Sequence, residues 1–103
     1  MSFITYATIT RGATTLSTSS SVQIDSKNPL MAAYYDKNHP YWVYDVYVPG
    51  GAYLEIAAGD LFTDQFNTDP LTGSAKQYRV VGDPKPFPDG HVECVATRFA
   101  GPS

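Results

Sequence analysis

The sequence predicts a mainly β domain: a small closed or partly open β-barrel, SH3-like, with long loops. Three observations carry that prediction. Val, Ile, Thr, Tyr, Phe and Trp supply 36 of the 103 residues, whereas Glu occurs twice. Such β-branched and aromatic side chains fit a pleated, half-buried surface. Gly and Pro, eight of each, break the chain at intervals suited to short strands. Several segments also alternate inward and outward residues with the strand period of two. Five or six short strands in one domain are best closed into a barrel, because closure removes exposed edges.

Residues 3–10 form the first expected strand, with Phe3, Thr5, Ala7 and Ile9 on one face. Residues 12–21, rich in Ser and Thr, offer almost nothing to bury and read as a mobile loop, since ordering costs about 1–2 kcal/mol per residue. Val22, Gln23 and Ile24 suit a short strand, 25–28 a turn, and 30–35 a helical turn or two. Residues 41–48 alternate again, with Trp42, Tyr44, Val46 and Val48 facing one way. Pro49 and Gly50 occupy the second and third places of a type II turn, after which 53–56 resumes as a strand. A corner at Ala58-Gly59-Asp60 precedes a strand at 61–66, and 67–75 is a loop. Residues 76–82 form a strand with Tyr78 and Val80 inward. The three prolines of 83–90 argue against a central strand there, and Pro88-Asp89-Gly90 suits a type I turn. Residues 91–99 are the last strand, with Val92, Cys94 and Ala96 on one face.

Composition narrows the function. One cysteine makes no internal disulfide framework. The start Met1-Ser2-Phe3-Ile4 carries no basic region followed by an apolar stretch, so no secretory signal is expected. The longest nearly apolar run has six residues, far short of the roughly 20 of a membrane helix, so no membrane partner is expected. A net charge of −3 lacks the basic footprint of a nucleic-acid binder. A soluble single domain, residues 1–103, is the resulting expectation.

Catalytic chemistry finds few candidates. His91 and Cys94 stand three apart on one strand, hence on opposite faces, and a nucleophile must touch its base. Cys94 reads as core and His91 as a surface residue beside a turn. Asp60, Asp64 and Asp69 lack the spacing of a calcium loop and read as solvated turn residues. Asp36 and His39 lack a third ligand nearby in sequence. No catalytic, cofactor-binding or metal site is expected, and the chain reads as no enzyme. The aromatics carry more: Tyr34, Tyr35, Tyr41, Trp42, Tyr44, Tyr47 and Tyr53 fall close together. Strand alternation turns about half of them outward, toward a subunit interface or a sugar. Tyr34, Tyr35, Tyr41 and Tyr47 are the candidate interface residues.

The order of motifs resembles a known family. Val46-Tyr47-Val48-Pro49-Gly50 is followed by Gly59-Asp60, then by Tyr78-Arg79-Val80-Val81-Gly82, then by Pro88-Asp89-Gly90-His91-Val92-Glu93. Over residues 44–99 this resembles the head closure (stopper) proteins of long-tailed bacteriophages and related gene-transfer particles. They carry a Gly-Asp corner, a Tyr-x-Val-x-Gly strand and a Gly-His-x-Glu final strand in that order. The matching positions are Gly59, Asp60, Tyr78, Val80, Gly82, Pro88, Gly90, His91 and Glu93. The resemblance implies a homo-oligomeric ring, hexamer or dodecamer, in the virion neck, assembled in the host cytoplasm. Its implied partners are portal and adaptor proteins above and tail proteins below, with packaged DNA passing through without specific binding. Residues 11–40 match nothing in the family and are expected to project from the barrel toward the lumen or a neighbouring subunit. A tail terminator or minor tail protein, and a glycan-binding β-module, are the alternatives.

Overall fold

The computed structural model describes residues 2–27, 29–32, 42–70 and 73–99. Six strands, β1 (Ser2–Arg11), β2 (Thr14–Ser26), β3 (Val43–Val48), β4 (Leu61–Thr68), β5 (Ala75–Pro86) and β6 (Val92–Phe99), form an antiparallel closed barrel in the order β1-β2-β3-β6-β5-β4. A single helical turn, α1 (Pro29–Ala32), follows β2, and a 3-10 turn, Gly51–Leu54, follows β3. The mainly β barrel expected from the sequence is therefore present, and it is closed.

The core is the inward face of every strand. Ala7 and Ile9, Val22 and Ile24, Val46 and Val48, Phe62, Tyr78 and Val80, and Val92, Cys94 and Ala96 are all buried in one cluster. Tyr78 meets Tyr44 edge to face at 5.3 Å, an aromatic pair standing in for missing aliphatic volume.

Three expectations fail, each for a tertiary reason. Residues 14–26 are strand β2, neither a mobile loop nor part of a projection from 11–40; Lys27 and the helical turn 29–32 follow it, and 28 and 33–40 lie outside the described residues. β2 pairs with β1 from Ser2↔Asp25 to Arg11↔Thr14, absorbing two register shifts near Ala7 and Ile9. Its polar half is laced down by side chains. Gln65 Nε2 donates to Thr18 O at 2.7 Å and to Thr8 Oγ1 at 3.1 Å, and Ser19 Oγ donates to Gln65 Oε1 at 3.0 Å. Ladder bonds and these contacts offset the entropy cost without a local apolar run.

Second, the expected strand at 53–56 is the 3-10 turn. Gly51 is wedged where a Cβ would stand 3.0 Å from the Cβ atoms of both Val48 and Val92, and Ala52 N–H donates to Gly90 O at 3.0 Å. Ile56 and Leu54 still face the core. Third, β5 runs through Pro84 to Pro86. A register shift between Val81↔Val95 and Lys85↔Glu93 lets it bulge at Gly82, whose φ of 69° suits glycine. β4 partners β5 only at residues 75 and 77–79, so Pro84 and Pro86 lie where one side of the strand carries no β4 ladder.

Phe62, 1% exposed and among the largest fully buried side chains, fills the barrel between β1 and β5. Phe62→Ala is expected to cost about 3–5 kcal/mol in urea unfolding. A loss under 1 kcal/mol would place the packing centre elsewhere.

Candidate functional site

Asp60, Asp64 and Asp69 are not solvated: they are 0%, 1% and 3% exposed. Buried carboxylates need dedicated donors, and each has its own. Asp60 accepts from Arg11 Nε at 2.8 Å and Nη2 at 3.0 Å, and from Ala57 N–H at 2.8 Å. Burial pushes the Asp60 carboxyl up, but the Arg11 and Ala57 hydrogen bonds and the Arg11 charge outweigh it and hold it below its ordinary value. Asp69 is gripped by Arg98 through Nε at 3.0 Å and through Nη2, and that guanidinium lies 5.2 Å from the Trp42 ring centroid.

Asp64 works differently. It accepts from Thr5 Oγ1 at 2.8 Å, from the N–H groups of Phe66 at 2.9 Å and Asn67 at 3.2 Å, and from Asn67 Nδ2 at 2.8 Å. The β1–β4 register ends at this residue, at Ala7↔Asp64. The Asp64 carboxylate takes the backbone N–H groups two and three residues on, and there β4 leaves the β1 ladder. Beyond that point, among the described residues, β1 pairs with β2 alone.

On the outer side of this parting lie Ile4, Tyr6 and Phe66, exposed by 70%, 48% and 72%, with Tyr6 and Phe66 edge to face at 6.1 Å. Residues 2–10 carry no charge. An uncharged aromatic and aliphatic strip beside a strand edge is the form of surface that proteins cover with a partner.

A second feature begins beside it on β2, where Gln23, the register partner of Ile4, lines a groove. Strands β2, β3, β6 and β5 bound an open groove of ≈ 600 Å³ lined by Asp25, Asp45, Asp83 and Glu93, with Lys27 and Lys85. Lys27 Nζ donates to Asp45 Oδ1 at 2.9 Å. At its end His91 stacks between Tyr47, 4.5 Å away, and Phe87, 4.3 Å away.

The residues singled out from sequence fall into distinct roles. Gly59 and Asp60 form the corner that receives Arg11; Tyr78 and Val80 are core; Gly82 is the bulge. Pro88 and Gly90 form the expected turn, closed by Gly90 N–H to Phe87 O at 2.9 Å. His91 and Glu93 share a hydrogen bond in the groove wall, and His91, its side chain 12% exposed, is more enclosed than a surface residue. Cys94 faces the core, where burial pushes its thiol up to about 12. Tyr34, Tyr35 and Tyr41, with Asp36 and His39, lie outside the described residues. Tyr47 is half-buried, stacked on His91 in the lining of the open groove. Ile4, Tyr6 and Phe66 were not singled out, although alternation along 3–10 already turns Ile4 and Tyr6 outward.

No family model and no curated protein matches the sequence. The solution structure of protein SF1141 from Shigella flexneri 2a is similar, with a TM-score of 0.55 at 18% identity, covering 94% of this chain and 90% of that one. At that identity the likeness is one of fold.

Arg11→Met leaves the Asp60 carboxylate buried without its cation. Because the Arg11 side chain is itself 47% exposed, water in part replaces it, and the expected result is a lowered urea midpoint at pH 7 with the fold retained. The folded value of Asp60 lies below the unfolded one, so the pair's contribution is present above the unfolded value and lost as pH falls through the folded one. Urea melts at pH 7 and below pH 3 check this; the deficit should shrink at the lower pH.

Proposed function

We propose that this chain is a structural, self-associating subunit of a viral head–tail neck, a stopper-type head closure protein. In this reading copies assemble into a ring that retains packaged DNA, meets portal and adaptor proteins on one side, and docks the tail on the other. The observation that carries it is the uncharged strip of Ile4, Tyr6 and Phe66 beside the edge of β1 left open past Asp64. Apolar side chains exposed to this degree on a small barrel are accounted for by a protein neighbour, and aromatic residues are favoured at such contacts.

Two further features support the reading. The motifs that resemble the family sit on the corner, bulge and turn that shape this barrel. A net charge of −3 per subunit suits a collar that DNA passes without being gripped, since phosphate binding requires Lys and Arg to displace counterions.

Sedimentation of the purified chain, alone and with portal–adaptor complexes or tail tubes, tests the proposal. A ring that binds portal–adaptor complexes is expected; binding to tail tubes instead would make the chain a terminator. A monomer that binds neither would overturn the reading. Ile4→Ser with Phe66→Ser should weaken assembly at least about tenfold while leaving the far-UV spectrum unchanged, since burying one such side chain contributes about 1.5–3 kcal/mol.

A further inference from the structure

The 87–90 turn enters β6 through a cluster of charge that the core does not need. His91 Nε2 lies 3.0 Å from Glu93 Oε2, and His91 Nδ1 is hydrogen-bonded to Asp89 Oδ1. Asp89 Oδ1 also accepts the backbone N–H of His91 at 3.0 Å. The imidazole is stacked on Phe87 at 8° and on Tyr47 at 23°. Backbone bonds tie the same turn to its surroundings. Phe87 N–H donates to His91 O at 2.9 Å, and Gly90 O receives Ala52 N–H from the 3-10 turn at 3.0 Å. Gly90, at φ 93°, lies so close under Tyr53 that a Cβ would stand 2.8 Å from its ring.

Both ring nitrogens therefore face carboxylates. Only the imidazolium has two N–H donors; the neutral ring has one, and its other nitrogen is an acceptor. Losing the proton leaves one carboxylate oxygen facing a nitrogen lone pair, and removes the cation stacked on two aromatic faces.

We propose that His91 is a pH-operated latch: as imidazolium, stacked on Tyr47 of β3, it ties the 87–90 turn through Asp89 to Glu93 of β6, and as neutral imidazole it keeps Asp89, releases Glu93 into the groove and so leaves the turn free to open away from β6. Asp89 is the one retained because the His91 backbone N–H fixes the same oxygen that Nδ1–H meets. Glu93 has another cation to turn to. Lys85 of β5 is its register partner, and both line the groove with Asp83. The remaining titratable groups around the imidazole are Tyr47 of β3 and, across Gly90, Tyr53 of the 3-10 turn. The latch is thus set within the groove wall, and opening it rearranges the charges there.

The Glu93 hydrogen bond raises the His91 value above the ordinary 6.5; burial opposes it, and the Asp89 hydrogen bond and the charges of Asp89 and Glu93 add to it. A raised folded value means the clamp contributes fully below the unfolded value and is lost as pH rises through the folded one. The closed state belongs to the acid side.

Two-dimensional NMR of the imidazole nitrogens, in a His39→Gln background so that one ring reports, tests the proposal together with amide protection factors for Phe87 and Gly90. The expected result is a His91 midpoint above that of a free histidine, an Nδ1–H tautomer above the midpoint, and a severalfold fall in Phe87 and Gly90 protection across it. Glu93→Gln should lower the midpoint, and His91→Gln should make the protection independent of pH in this range. A midpoint at the free value, an Nε2–H tautomer, or protection unchanged across the midpoint would overturn the latch. The wild-type titration decides the matter even if a variant fails to fold.

Discussion

Four register pairs, residues 7–10 against 64–61, close this barrel, and two buried carboxylates bracket them. At one end Asp60 holds Arg11, the last residue of β1, so the corner before β4 is fixed to the strand it must pair with. At the other, Asp64 takes the N–H groups of Phe66 and Asn67, just past the last ladder pair, and joins β1 by a side-chain bond from Thr5. Removing a carboxylate from water costs several kcal/mol unless donors replace the lost hydration. Both sites supply them in full. The seam ends at Asp64, and beyond it the edge of β1 is open.

That arrangement separates two surfaces. The open edge carries Ile4, Tyr6 and Phe66 without charge, whereas the groove across β2, β3, β6 and β5 carries carboxylates and two lysines. A chain of net charge −3 brings two copies together at least electrostatic cost where it has no charge to repel. The uncharged strip thus suits contact between neighbours. The groove, in which carboxylates outnumber lysines, is where a second copy would meet like charge.

Much of the barrel was legible because half-buried strands announce themselves by alternation. Ala7 and Ile9, Val46 and Val48, Tyr78 and Val80, and Val92, Cys94 and Ala96 all point inward where the period of two puts them. What was illegible depended on distant partners. The Ser/Thr half of β2 has no apolar pattern, and what orders it is the β1 ladder together with Gln65, 47 residues beyond Thr18. Asp60 and Asp69 look like turn residues until arginines 49 and 29 residues away arrive beside them. Prolines read as strand breakers because sequence does not say which side of a strand lacks a neighbour. The exposed strip was half legible: alternation gives Ile4 and Tyr6, but Phe66 joins them only past Asp64, where β4 leaves the β1 ladder.

The motifs that suggested a family divide along the same line. Gly59 and Asp60, Tyr78, Val80, Gly82, Pro88 and Gly90 are each explained by how a barrel of this topology closes, bulges and turns. Their order therefore speaks first of construction, which is also what the Shigella flexneri protein shares at 18% identity. The side chains of His91 and Glu93 are not explained that way: the His91 backbone helps close the turn with Phe87, but neither side chain fills the core. A side chain placed with two carboxylates and two aromatic faces, where a core residue or a solvated one would serve the fold as well, is a constraint of another kind. Among the motif positions it is there, and off the motifs in the strip beside β1, that the surface departs from what the barrel itself requires.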